Sequence, residues 1–144
     1  IAVNPSLRGS HVEFGMASDG RTDTQIIGFD YEALHLRPLS PVHAKTKRVG
    51  DDVHISWIRR TRIGGDDWAS LDVPLGEESE AYEVDFLDNG TVLLTKQVNI
   101  SELFITVPEL ENLYGAPLTD INISIFQISQ SFGRGAARET TFTL

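Results

Sequence analysis

The chain has 144 residues, 21 acidic against 12 basic side chains, a formal net charge of −9 and no cysteine. A field of that sign repels phosphate backbones and anionic lipid, which disfavours nucleic-acid binding and membrane association. Without cysteine there is no thiol catalysis, disulfide framework or cysteine zinc site. The length suits one ordinary domain, or one domain with a short accessory piece, folding without a disulfide or metal. No stretch approaches the roughly 18–20 apolar residues that would insert in a bilayer. The start, Ile1-Ala2-Val3-Asn4-Pro5, carries no charged-then-apolar signal pattern, and a piece of a longer polypeptide is expected.

Period-two alternation dominates, which predicts an all-β fold. In residues 1–36, Val12, Phe14 and Met16 alternate with polar neighbours, residues 18–23 turn the chain, and Gln25–Tyr31 runs apolar again. This predicts a β-hairpin segment ahead of the main unit. Leu36-Arg37-Pro38-Leu39-Ser40-Pro41-Val42 reads as an extended link, because residues before proline avoid the α region. The boundary is placed there, giving 1–36 and 37–144. Val53, Ile55 and Trp57 then set one apolar row of a strand. Tyr82, Val84 and Phe86 set another, followed by Asp88-Asn89-Gly90, the composition of a type I′ hairpin turn. Residues 81–87 are therefore paired with 91–98. Pro108–Gly115 has proline at its start and glycine after it, the signature of a short helix. Ile121, Ile123 and Ile125 alternate in a further strand. Their register places Gln127 inward, yet Ile128 follows, so either a β-bulge resets the alternation or Ile128 lies on the solvated face. Residues 139–144 read as a closing strand. Turns every 8–15 residues point to an antiparallel sandwich or barrel.

Catalytic patterns are missing. His11, His35, His43 and His54 share no spacing that gathers them with a carboxylate, and no zinc-protease, nucleophile-elbow, phosphate-loop or calcium-loop motif occurs. His54 is expected exposed on a polar face. Asp19 and Asp23 flank a turn and are read as solvated rather than cation-binding. The acid pairs Asp51-Asp52, Asp66-Asp67 and Glu77-Glu78 sit in Gly-rich turns and are also read as solvated, not as a glycosidase pair. The sequons at Asn89, Asn99 and Asn122 are read as chance. No catalytic residue, cofactor or metal ligand is assigned, and the chain is expected not to be an enzyme.

The unusual stretch runs from Trp57 to Trp68, with Arg59, Arg60 and Arg62 before Gly64-Gly65-Asp66-Asp67. Trp57 is expected in the core with Arg59 over it as a cation–π partner. Arg60, Arg62, Asp66, Asp67 and Trp68 are the candidate binding residues, since a Trp among Arg and Asp can stack on a sugar or anchor a protein partner.

Five runs carry a family resemblance: Leu36-Arg-Pro-Leu-Ser-Pro-Val-His43, Ser56-Trp-Ile-Arg-Arg-Thr-Arg-Ile-Gly-Gly-Asp66, Val73-Pro-Leu-Gly-Glu77, Ser79-Glu-Ala-Tyr82 and Gln127-Ile-Ser-Gln-Ser-Phe-Gly133. Over residues 36–138 the chain resembles the C-terminal end of the tail-tip (baseplate hub) proteins of alphaproteobacterial gene transfer agents and related siphophages; residues 1–35 match more loosely. The resemblance implies a fibronectin type III-like β-sandwich for 37–144. It also implies a place in a virion, assembled in the bacterial cytoplasm, with other tail-tip proteins as partners. A host cell-surface glycan or outer-membrane protein is a further partner it implies. The helical turn at 108–115 departs from a simple sandwich corner. From another class, a carbohydrate-binding module attached to a hydrolase or adhesin stays open at this point.

Overall fold

The computed structural model describes residues 3–16, 25–65 and 73–144. The chain divides into two compact units, Ile1–Leu36 and Arg37–Leu144. Asp19 and Asp23 lie outside the described residues.

In the first unit, β1 (Ser10–Met16) and β2 (Gln25–Tyr31) form an antiparallel pair in which Val12 faces Phe29 and Phe14 faces Ile27. Because opposed residues share a face, Val12, Phe14, Met16, Ile27, Phe29 and Tyr31 make one apolar row. Phe14 and Phe29 stack at 5.6 Å between centroids. The other face is polar, with His11 Nδ1 2.8 Å from Asp30.

The second unit is a two-sheet sandwich. One sheet has the order β3 (Val42–Val49), β4 (Asp52–Ile58), β7 (Glu102–Thr106). The other has the order β10 (Arg138–Thr143), β8 (Asp120–Ser129), β5 (Tyr82–Asp88), β6 (Thr91–Val98), and the short β9 (Gly133–Arg134) pairs with the end of β8. All pairings are antiparallel. The alternating rows meet between the sheets: Val53, Ile55 and Trp57 from β4, Tyr82, Val84 and Phe86 from β5, Leu103 and Ile105 from β7, and Ile121, Ile123 and Ile125 from β8. Burying each such side chain contributes roughly 1.5–3 kcal/mol. Trp57 packs edge-on against Tyr82 at 5.2 Å.

The local expectations hold where the chemistry is local. The β5–β6 turn has Asn89 at φ 46° and Gly90 at φ 82°, the two left-handed residues that a type I′ turn requires. Helix α1 (Val107–Tyr114) is capped by Thr106, whose hydroxyl accepts from Glu109 N at 3.2 Å, and it ends at Gly115 with φ 88°. Leu110 plugs the core from this helix. The proline-to-glycine turn is thus a full helix closing the end of the sandwich between β7 and β8.

The register of β8 settles the irregularity at its end. Gln127 lies opposite Tyr82 in unbroken sequence with Ile125 and Ile123, so no bulge intervenes. Gln127 faces inward and is 1 % exposed, while Ile128 lies on the opposite face. Among the described residues neither amide atom of Gln127 has a hydrogen-bond partner.

Candidate functional site

The pole of the sandwich where β4 ends and β5 begins holds the arginine-rich stretch. A strand end leaves backbone groups unpaired, and here charged side chains satisfy them. Arg59 leaves β4 and donates to the carbonyls of Val73 (2.6 Å) and Pro74 (2.9 Å), closing the two limbs of the loop on each other. The guanidinium is therefore engaged with backbone, which adds a role that its expected place over Trp57 did not include. Arg60 donates from Nε to the Ser40 carbonyl at 2.9 Å, tying the loop to the segment that enters β3. Arg62 makes a two-point pair with Glu77, at 2.8 and 3.3 Å. Thr61 Oγ1 donates to the Ile63 carbonyl at 2.8 Å and sits against Gly76, where an added Cβ would collide with it. Gly76 has φ 75°, so glycine is required there on both counts.

Glu77 and Glu78 correct the solvated reading. The Glu77 side chain is 2 % exposed, because Arg62 supplies the charge partner that lets a carboxylate leave water. Glu78 stays at the surface but reaches across to the β8–β9 turn, accepting from Gln130 N (3.1 Å), Ser131 N (3.2 Å) and Ser129 Oγ (3.2 Å). Its own backbone N–H, against the opposing pull of desolvation, and then the donors of residues 131, 130 and 129 hold its carboxyl down at about 2, from 4.5. A depressed carboxyl stabilises the fold above its unfolded value and loses that contribution as pH falls through the folded one. The thermal midpoint of the chain is therefore expected to fall between pH 4.5 and 2. Glu78→Gln should flatten that limb; an unchanged acid limb in the variant would remove Glu78 from the account. Tyr82 donates to Glu80 Oε1 at 2.9 Å, and burial first, with that bond second, pushes its hydroxyl well above the ordinary range.

Beyond the pole, the outer face of the β5–β8 sheet carries an ion cluster that spacing did not reveal. Asp85 is 3 % exposed although it points away from the core. Arg134, on β9, covers it with bonds of 2.6 and 3.0 Å, pairs also with Glu83, and lies 4.6 Å over the Phe126 ring. Thr95 donates to Asp85 at 2.6 Å. The only sequence hint was Asp85 and Glu83 as the polar partners of an apolar row. His54 is the other correction. It is not simply exposed but stacks on Phe104 at 4.4 Å and bonds Glu102 at 2.8 Å, with 23 % of its side chain accessible.

Of the candidate binding residues, Arg60 and Arg62 both belong to this pole and both serve as fasteners of the loop. Asp66, Asp67 and Trp68 lie outside the described residues. Among the described residues, no three acidic or histidine side chains gather as a metal site, and no helix is long and apolar enough to cross a membrane.

No protein-family model and no curated sequence matches the chain. Solved structures do. Domains d3–d4 of the rat CD45 extracellular region superpose with TM-score 0.52 at 11 % identity, over 95 % of this chain and 65 % of that one. The chain thus spans just under two thirds of that two-domain fragment. The FN3tt domain superposes with TM-score 0.50 at 13 % identity, over 74 % of this chain and 94 % of its own. The Clostridium perfringens spore cortex lytic enzyme SleM reaches TM-score 0.48 at 11 % identity over 92 % of this chain and 38 % of its own, too distant to argue from. At these identities the likeness speaks for the fold alone: an all-β, fibronectin type III-like antiparallel sandwich preceded by a β-hairpin.

Proposed function

We propose that this chain is a structural domain of a phage-like tail tip, working by contact rather than chemistry, with neighbouring tail proteins on one side and the recipient cell surface on the other. The observation that carries the reading is the coincidence of two independent groupings. The five sequence runs that resemble gene transfer agent tail-tip proteins lie between residues 36 and 133, and residues from all five meet at a single pole. Ser40 meets Arg60, Arg62 meets Glu77, Trp57 meets Tyr82, and Tyr82 lies opposite Gln127, while Glu78, between two of the runs, caps the turn at 129–131. Gly135, just past the last run, links it to the first: its N–H bonds the Gln127 carbonyl, and its Cα lies so close to Pro38 that a Cβ would strike it. A resemblance spread over residues that co-operate in one structure is harder to meet by accident than one spread over unrelated positions.

The pole is built to present rather than to react. Every arginine in the 59–62 stretch is tied down, so the two limbs flanking residues 66–72 are fixed to the sandwich. A fixed loop base lowers the ordering cost of any contact made there. The test is binding of the fluorescently labelled full chain to intact recipient-type bacteria, beside a Trp68→Ala variant and capsule-stripped cells. Saturable binding that the variant loses is the expected result. No saturable binding up to about 1 mM, a limit of about −4 kcal/mol, would overturn the adhesive half of the proposal.

A further inference from the structure

The outer face of the three-stranded sheet carries a second, separate arrangement. By register, Lys47, His54 and Phe104 form one row across β3, β4 and β7, and Lys45, Ser56 and Glu102 form the next. Val53, Ile55 and Trp57 face the core, so these rows face outward. Phe104 is 54 % exposed yet held in place, its ring parallel to His54 at 15° and the imidazole fixed by Glu102. Lys45 and Lys47 are exposed, and among the described residues neither has an ion pair. In a chain of net charge −9, two free ammonium groups on one edge strand are the exception; His54 lies between them and Phe104, and the carboxylates of the same face are Glu102, bonded to His54, and Asp52 in the row beyond. Ile58 and Ile100, also exposed, lie beyond Ser56 and Glu102.

We infer that this face binds an acidic oligosaccharide laid across the three strands, with one sugar ring against the exposed side of Phe104, the carboxylate of another ring paired with Lys47 and Lys45 on the opposite edge, and hydroxyls between them bonded to Ser56 and Glu102. The unpaired lysines stand together on the β3 edge, away from Glu102 on β7, and that edge selects an anion. The size of the face selects the class: three strands about 4.8 Å apart over five residues of about 3.4 Å make a footprint on the order of 250 Å². A stable protein interface needs roughly 800 Å² per partner, whereas a few sugar rings lying flat fill the smaller area. Aromatic ledge, cations, hydroxyl and carboxylate are together the donor and acceptor set that an acidic sugar presents in complement. This inference extends the cell-surface side of the proposed function but stands on the sheet alone, and its test needs no cell.

The test is titration of the ¹⁵N-labelled full chain with tetragalacturonate, with neutral cellotetraose and tetraglutamate as parallel probes. Amide shifts confined to residues near 45–47, 54–56 and 102–104 are expected with tetragalacturonate, weakening with added salt. Phe104→Ala and Lys47→Glu, both at exposed positions, should each weaken binding by about tenfold or more. The absence of shifts at about 10 mM, shifts on another face, or equal binding by the two variants would overturn the inference. Equal affinity for tetraglutamate would overturn the sugar assignment and make the face a docking site for acidic peptide. Binding here with no binding to cells would leave this site standing while the adhesive reading fell.

Discussion

Arg62→Ala should lower the stability of the chain by about 3 kcal/mol, and its thermal midpoint by roughly 10 °C. The size of the effect comes from Glu77 rather than from the lost arginine. The Glu77 side chain is 2 % exposed and Arg62 gives it two hydrogen bonds, so removing the guanidinium leaves a buried carboxylate without its counter-charge. A surface pair of the same geometry would be worth well under about 1 kcal/mol. The double replacement Arg62→Met with Glu77→Leu should recover most of the loss, because two apolar groups of similar shape carry no desolvation cost. Urea and thermal unfolding of the three chains measure this. If Arg62→Ala costs less than about 1 kcal/mol, Glu77 finds solvent and the loop is not fastened in the way described.

The second large effect has the opposite sign. Gln127→Met should raise stability by about 1–2 kcal/mol. The amide of Gln127 is buried in the sandwich with no partner among the described residues for its oxygen or its nitrogen. Both the native and the variant side chains are unbranched and of similar length, so the swap removes the polar cost with little change in packing. The main-chain carbonyl of Gln127 accepts from Gly135 N, a bond that any residue here keeps, so the variant tests the side-chain amide alone. A midpoint that falls in the variant would show that the amide is satisfied in solution.

What the sequence could convey and what it could not divide along one physical line. Features decided within a few residues were readable: the Asn89-Gly90 turn from its need for two left-handed residues, α1 from Pro108 and Gly115, and the core rows from their period of two. Strand β3 shows no apolar row because its core-facing positions include only the small Ala44 and the polar Thr46 among His43, Lys45, Lys47 and Arg48, and β7 shows none because five residues are too few for a period. The site chemistry escaped for a different reason. Glu78 finds its partners 51–53 residues away, Arg134 finds Asp85 49 residues away, and His54 finds Glu102 48 residues away. Spacing along the chain carries no trace of such pairs. Arg62 and Glu77, 15 residues apart, lay nearest to reach, but a charge pair in a Gly-rich turn is ordinarily solvated, and only the tertiary fold removes water from it.

The proposed place in a tail tip can be read by immunogold electron microscopy of particles from the producing bacterium, using antibody raised against the full chain. Gold is expected at the distal end of the tail and nowhere else on the particle. Particles that carry no label, or label on the head or along the tube, would contradict it.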